Sequence, residues 1–463
     1  MNRVLLLSCL STFTATIHAQ FYNWGWGPPM TVSQNGTTIT CSVFDPVLNQ
    51  TQTQNLNSVA TWSYDDGVVA TVSSGGTVTA MVYDLFLADF RDEQLSSNPG
   101  NAVINSDGVV AWVSSAGSVG GAIYNPFTHD WRDEQFSSNP GNAIQNRDGV
   151  ISWVSSAGSV GAAVYDPALN DWRDEQFSSN PGNAVQNRDG IVAWVSDAGS
   201  VGAAVYDPAL QQWQDEQFSS NPGNTVVIGQ GVVAWRSSAG TLGGAAYNGY
   251  AHQWDDEQFS SSSSNSLPTI ADGTVEWMNT NGPQRYGYTG SQQWQNDVNT
   301  TVQCTYFPTV VGSAEGLYVA YLHCLSIGAS AYSHQCGDGH VITRRWAWKA
   351  YANPGSYTPE LTVFSSTSNS TCSGSVAFSG IGFAEIAASA PFRIASTSSG
   401  LRISGDRYIA EVTVRDAMGR VISVLRGHGS ALEIPFAAAL GQYFAKVVAA
   451  DGSVWTLRTV VDH

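Results

Sequence analysis

Two cysteines and three histidines crowd one unrepeated stretch of the chain: His323, Cys324, His334, Cys336 and His340. Thiolate and imidazole are ligands of zinc and copper, so Cys324, His334, Cys336 and His340 are the one set here with metal-binding chemistry. Their spacing matches no standard zinc motif. In an exported chain a Cys324–Cys336 disulfide accounts for the cysteines better, and it is the expectation carried forward. His323, His334, His340, Arg344 and Arg345 are where an enzyme site would be sought, because convergent chemistry needs unlike groups around one bond. No nucleophile elbow, phosphate loop or dinucleotide fingerprint occurs, and no catalytic residue, cofactor or metal is assigned.

The other chemically suggestive residues are repeated. An Asp-Glu-Gln triplet begins at Asp92, Asp133, Asp174, Asp215 and Asp256. Paired carboxylates are what glycoside hydrolysis uses. Five near-identical copies instead indicate a solvated outer strand. Asn-x-Asp-Gly recurs at Asn105, Asn146 and Asn187. Its oxygens suit calcium, but the further acids of a calcium loop are missing, so a turn is the better reading. Trp112, Trp153, Trp194 and Trp235 lie inside apolar runs and belong to a core. Trp131, Trp172, Trp213 and Trp254 sit at strand edges, where partial exposure would let them stack on sugar rings, but a place in the core is the leading reading for them too.

The elements that hold these residues follow from a fixed step of 41 residues between the triplets. Residues 132–172 and 173–213 agree at 34 of 41 positions, which identifies a repeat architecture. Each unit reads as four strands: Asn183–Gln186, Ile191–Val195, Val201–Tyr206 and Trp213–Phe218. Asp189-Gly190 makes a hairpin turn between the first two. The second strand is apolar on both faces and needs cover on both. The third is small (Gly-Ala-Ala), so sheets can approach closely. The fourth is charged and outermost. This pattern predicts an all-β fold, a β-propeller of seven or eight four-stranded blades, with a β-solenoid as the alternative. Tyr165-Asp166-Pro167 to Trp172, and Tyr206-Asp207-Pro208 to Trp213, resemble the third-to-fourth strand turn of kelch-type propellers. The paired glycines of that family are present only at Gly120-Gly121 and Gly243-Gly244. An eighth unit is expected at Ser326–Tyr332, which aligns with Ser159–Tyr165. The first unit lacks a first strand, which a C-terminal strand would supply.

The 463 residues divide unevenly in charge. The whole carries 19 Lys+Arg against 37 Asp+Glu, yet residues 391–463 hold 8 basic and 6 acidic groups. So acidic a body repels phosphate backbones, which excludes nucleic acid as a partner. Residues 1–19 read as a signal peptide: Arg3, an apolar run from Val4 to Ile17, and Ala19 before the cut. Leu6-Leu7-Ser8-Cys9 lies too early for a lipobox, and no stretch approaches the ~20 apolar residues of a membrane span. Export permits disulfides among Cys41, Cys304, Cys324, Cys336 and Cys372, with at least one thiol left over. Residues 20–352 form the propeller, and 353–390 a Ser/Thr/Gly-rich linker with a closing strand.

In residues 391–463, strands are expected at Tyr408–Val414, Val421–Leu425, Gln442–Val448 and Val454–Val461. Asp416-Ala417-Met418-Gly419-Arg420 and Asp451-Gly452 supply turns. This terminal segment resembles the C-terminal sorting domain of the type IX secretion system of Bacteroidetes-type bacteria. The resemblance implies an immunoglobulin-like sandwich, the secretion machinery as partner, and delivery to the outer-membrane surface or medium of a Gram-negative cell. The functional expectation is a secreted or surface-displayed binding or adhesion module for a glycan or protein. An extracellular polysaccharide-acting enzyme and a structural surface-layer component are the alternatives.

Overall fold

A computed structural model describes residues 30–45, 48–84, 87–98, 101–126, 128–180, 183–314, 317–351, 353–378, 392–397, 400–416, 421–435, 441–449 and 454–461. The expected signal peptide at 1–19 lies outside them. Every named element is a strand, and the chain forms two compact units, divided at Phe378 and Ser379.

The first unit is built on the β-propeller plan. Each 41-residue repeat folds as a four-stranded antiparallel meander, as in Ala184–Arg188, Ile191–Val195, Val201–Asp207 and Gln212–Ser219. Six such sheets follow one another between Val59 and Asn296. Inside a sheet, Trp194 lies opposite Gly202. A Cβ at 202 would come within 2.5 Å of the Trp194 ring, so glycine is what admits the indole. Trp194 in turn stacks on Phe177 of the preceding repeat, with centroids 5.5 Å apart.

Polar contacts repeat between the same neighbours. The Tyr206 phenol donates to the Asp166 carboxylate one repeat earlier, and Tyr247 donates to Asp207 at 2.6 Å. Trp213 Nε1 donates to the Arg173 carbonyl at 3.0 Å, and Asn187 Nδ2 to the Val150 carbonyl at 2.7 Å. Asp166 and Asp207 are buried. A buried carboxylate without donors would be costly, so these bonds fix how one sheet sits on the next.

Three expectations are corrected here. The first sheet does lack one strand, having Thr31–Asn35, Thr38–Asp45 and Gln50–Leu56, but among the described residues no C-terminal strand joins it. Ser326–Tyr332 is not an eighth repeat: residues 326–330 run between strands, tied by a bridge from Gln303 to Ile327 and by single backbone hydrogen bonds from Gly328 N–H to the Gln230 carbonyl and from Ser330 N–H to the Phe364 carbonyl. Residues 353–378 are not a linker. They contribute strands Gly355–Tyr357, Glu360–Phe364, Asn369–Ser373 and Val376–Phe378. Glu360–Phe364 pairs with Ala331–Gln335, and Tyr306–Ala314, Leu317–Cys324 and Ala347–Tyr351 form a neighbouring sheet. Leu322, Cys324, Leu361, Val363 and Val376 share one buried cluster, so 302–378 is a folded module with its own core.

The disulfide expectation is also overturned. Cys304 is bonded to Cys372, 68 residues away, whereas Cys324 and Cys336 are free and buried, as is Cys41. The bond joins the entry of the module to its outermost strand, Asn369–Ser373, closing a long loop.

In the second unit the strands are Phe392–Thr397, Gly400–Asp416, Val421–Pro435, Gly441–Ala449 and Val454–Val461. Gly400–Asp416 pairs with three of the others, and Val454–Val461 pairs with Gly441–Ala449 along eight residues. Alternation places Leu401, Ile403, Ile409, Val412, Val414, Ala445 and Val447 in one buried core. The turn at 417–420 and the Asp451-Gly452 turn lie outside the described residues.

Peptide mapping without reduction should recover Cys304 linked to Cys372, with Cys324 and Cys336 alkylated only after denaturation. A Cys324–Cys336 cross-link would refute this assignment.

Candidate functional site

The repeat turns form the floor of the site. Asp107-Gly108, Asp148-Gly149 and Asp189-Gly190 each have positive φ at both residues. That is the type I′ geometry that matches strand twist in a two-residue hairpin, and it explains the Asp-Gly pairs. Each turn is tied to the next. The Asp65 carboxylate accepts from the Asp107 N–H at 2.6 Å, Asp148 from Asp189 at 2.7 Å, and Asp189 from Gln230 at 2.6 Å. The turns thus form a row of carboxylates at regular spacing.

The irregular module lies across this row. Trp346 rests on two consecutive turns: a Cβ at Gly149 would meet its ring at 3.5 Å, and one at Gly190 at 2.8 Å. Its Nε1 donates to the Cys324 carbonyl at 3.0 Å, which sets the ring's angle. The residues before it reach in opposite directions. Both terminal nitrogens of Arg344 donate to the Asp66 carboxylate. Arg345 is buried, with Nη1 3.3 Å from the Tyr332 hydroxyl and 3.7 Å from Asp189.

Between the turns and the module is a cavity of about 250 Å³. Asp66, Asp107 and Asp148 line one side, and Arg344 and Arg345 the other. Tyr165, Tyr321, Tyr332, Trp346 and Trp348 supply aromatic walls. Burial, reinforced by the Asp148 and Asp65 carboxylates, pushes the Asp107 carboxyl above the usual range. Burial works against the Arg345 charge, but Tyr332, Cys324 and the carboxylates of Asp189 and Asp148 together hold that charge firmly in place. His323 stacks on Trp346, with centroids 4.4 Å apart, and both of its ring nitrogens lack a protein hydrogen-bond partner. Burial and the nearby Arg345 charge lower it to about 3, so it is a neutral imidazole. It borders a small second cavity of about 10 Å³, roughly the room of one water.

The suspected metal ligands are not brought together. The Cys324 thiol lies 3.1 Å from the Ser326 hydroxyl. His334 Nε2 donates to the Arg344 carbonyl at 2.7 Å, which positions the arginine pair. Cys336 Sγ lies 3.8 Å from the His334 carbonyl oxygen, and His340 Nδ1 lies 3.1 Å from Asp338, which also holds buried Lys349 at 2.7 Å. Among the described residues no cluster of three or more His, Cys, Asp or Glu side chains has metal-binding geometry.

The repeated candidates have structural employment. The Asp174-Glu175-Gln176 triplet is exposed on the outer strand, and its counterparts in other repeats match it. Trp172, Trp213 and Trp254 belong to the core rather than to a stacking surface: they are buried, each donating to a carbonyl of the preceding repeat. Asn105, Asn146 and Asn187 brace neighbouring repeats, donating to Val68, Val109 and Val150 carbonyls. Of the enzyme candidates, Arg344 and Arg345 reach the cavity, His323 lies behind it, and His334 and His340 are elsewhere. Sequence reasoning did not single out Trp346, Trp348, Tyr321 or Tyr332. Their signal is density: Arg344-Arg345-Trp346-Ala347-Trp348 sets two cations among two indoles where the repeat has ended.

The lowered histidines have a signed consequence for stability. His323 and His334 are held near 3 and 4 when folded, and both take up protons below about 6.5 when unfolded. The unfolded state therefore binds more protons between those limits, and stability falls as pH drops through that window. Each group contributes on the order of 1.4 kcal/mol per pH unit. Urea unfolding at pH 7.5 and pH 4.5 should show a smaller acid loss for His323→Phe than for the wild type, since phenylalanine keeps the ring stack and removes the titration. Equal losses would refute the buried neutral imidazole.

No family model matches the chain, and no curated protein matches it. Among solved structures it is similar to Kluyvelomyces marxianus Hsv2, with 11% identity and a TM-score of 0.25 over 58% of this chain and 93% of that one. It is also similar to the N-terminal domain of Nup159 (10% identity, TM-score 0.24, 69% and 86% covered) and to Saccharomyces cerevisiae Sqt1 (12%, 0.25, 65% and 92%). These distant likenesses carry nothing about ligand or partner to this chain.

Proposed function

We propose that this protein is an exported binding module whose ligand site is the cavity between the Asp-Gly turns and the irregular module. The observation behind this reading is asymmetry. A row of equivalent turns cannot select one ligand, but the module adds two arginines and several aromatic rings over only part of it. A largely pre-formed concavity with aromatic walls and a few convergent charged groups is the ordinary form of a ligand site.

A catalytic reading has one observation in its favour: Asp107, held protonated more readily than usual, stands in the same wall as Asp148. Two neighbouring carboxyls, one of them raised, are the starting point of a glycosidase acid and its partner. Both side chains, however, are engaged by backbone N–H groups of the following turn, a structural role. Binding is therefore the first reading and polysaccharide hydrolysis the second. Immobilised full-length protein should retain a component of extracellular polysaccharide or surface-protein extracts, and Asp148→Asn combined with Trp348→Ala should abolish retention. Retention unaffected by both substitutions would exclude the cavity. Release of new reducing ends from the extract would promote the hydrolytic reading, and concentration-dependent self-assembly without retention would favour a surface-layer component.

For the second unit we propose the type IX sorting role. The support is a separate core, a charge opposite in sign to the body, and an edge strand, Val454–Val461, held by eight residues of pairing with Gly441–Ala449. Removing Val454–His463 strips one edge of a small domain, which tolerates such loss poorly. Cell fractionation should find the truncated protein retained in the periplasm with a folded body. Normal amounts at the surface or in the medium would refute the sorting role.

A further inference from the structure

We infer that the cavity binds a neutral saccharide unit, one ring rather than a chain segment, through its aromatic walls and its opposed carboxylates and guanidiniums. This inference rests on reading the cavity as the ligand site and adds the chemical class. Size is the first constraint. About 250 Å³ is the volume of roughly eight liquid waters, on the scale of one sugar ring and too small for a helix or a folded loop.

Charge is the second. Three carboxylates and two guanidiniums line the cavity. Arg344 neutralises Asp66, and Arg345 is shared between Tyr332 and Asp189. Asp107 stands beside Asp148, near enough for Asp148 to raise its carboxyl, and Asp148 also faces the Arg345 charge, so the fixed charges of the cavity already answer one another. A phosphate, sulfate or uronate placed here would meet like charge from that pair. An ammonium or guanidinium ligand would meet two fixed arginines. Either would be desolvated without full compensation, which costs more than burying a neutral polar group.

Hydrogen bonding and shape form the third. A sugar hydroxyl donates and accepts at once, so neighbouring hydroxyls can donate to carboxylates on the turn side and accept from guanidiniums on the module side. The partly exposed rings of Tyr321, Tyr332, Trp346 and Trp348 offer flat apolar surface for the C–H face of the same ring. The side chains are already held: Trp346 by two turns and the Cys324 carbonyl, Arg344 by Asp66. Little ordering is left for the ligand to impose, which favours affinity for a small molecule.

The test is titration of the full-length protein, followed by intrinsic tryptophan fluorescence and calorimetry. The panel comprises neutral gluco- and manno-oligosaccharides, a uronic-acid oligosaccharide, a sulfated one and a chitosan oligomer. At least one neutral sugar should bind most tightly. Trp348→Ala should weaken it by about tenfold or more, the effect of losing an aromatic anchor. Asp148→Asn keeps an acceptor for the Asp189 N–H, so it should retain the wild-type melting profile while also weakening binding. If a charged oligosaccharide binds best and both substitutions remove that binding, the neutral class is overturned and the cavity stands. If a neutral sugar binds and neither substitution affects it, the cavity itself is overturned. If no sugar binds at millimolar concentration, the saccharide class is overturned, and the extract experiment decides the cavity separately.

Discussion

Burying a carboxylate between two sheets obliges the next repeat to supply a donor, and the rest of this structure depends on that obligation being met. Asp45, Asp84, Asp166 and Asp207 are removed from solvent and each accepts a phenol from the following repeat. Each removed phenol would leave a buried charge short of a donor, so sliding one sheet against the next is penalised more heavily than hydrophobic contact alone would do. Where the acid becomes Asn125, the Tyr165 hydroxyl turns instead to Asn170, at 2.6 Å, and the spacing survives. The indole and asparagine bonds to preceding carbonyls have the same effect. The array is in register because its polar groups leave no other arrangement satisfied.

Register in turn decides what the turn face can do. Since the sheets keep one spacing, their Asp-Gly turns line up, and each carboxylate reaches the next turn's N–H. That row offers a repeated anionic surface and two left-handed residues per turn, the second of which has no side chain. Trp346 exploits the missing side chains at Gly149 and Gly190, while Arg344 and Arg345 answer the charge at Asp66 and Asp189. Attachment of the module and creation of the cavity are thus one event. The groups that hold the module in place are also the groups a ligand would meet.

The outer strands carry the other consequence of repetition. Desolvation by partial burial, followed by neighbouring acids such as Asp174 and Asp215, raises the carboxyls of Glu134 and Glu175. Five copies of the triplet therefore place like charges beside one another along an exposed edge. Such an edge resists pairing with another sheet, a common protection for exposed strands. The same acids that looked catalytic by type serve to keep the array from associating through its outer strands.

The strand boundaries, the Asp-Gly turns, the core tryptophans and the separate C-terminal unit were all legible in the residues, because each follows from local chemistry. Strand alternation, positive-φ turn residues and small side chains opposite an indole all act within one repeat, and the fixed period shows that every repeat does the same. The cysteine pairing and the cavity depend on contacts between distant segments, and were not legible. Cys324 and Cys336 are near in sequence, but Cys372 lies opposite Leu361, and Cys304 comes within 3.2 Å of the Leu361 carbonyl. Strand pairing 57 residues beyond Cys304 therefore chose the partner. Asp107 and Asp148 looked like turn residues and are turn residues, and Asp66 sits in an equivalent turn, with positive φ before Gly67. They became the wall of a site only when the module placed Arg344, Arg345 and Trp346 against them. By itself the sequence determined a repeating sheet with a polar turn face, whereas the tertiary structure decided which turns are covered, because that depends on where a non-repeating segment finds matching charge and room for an indole.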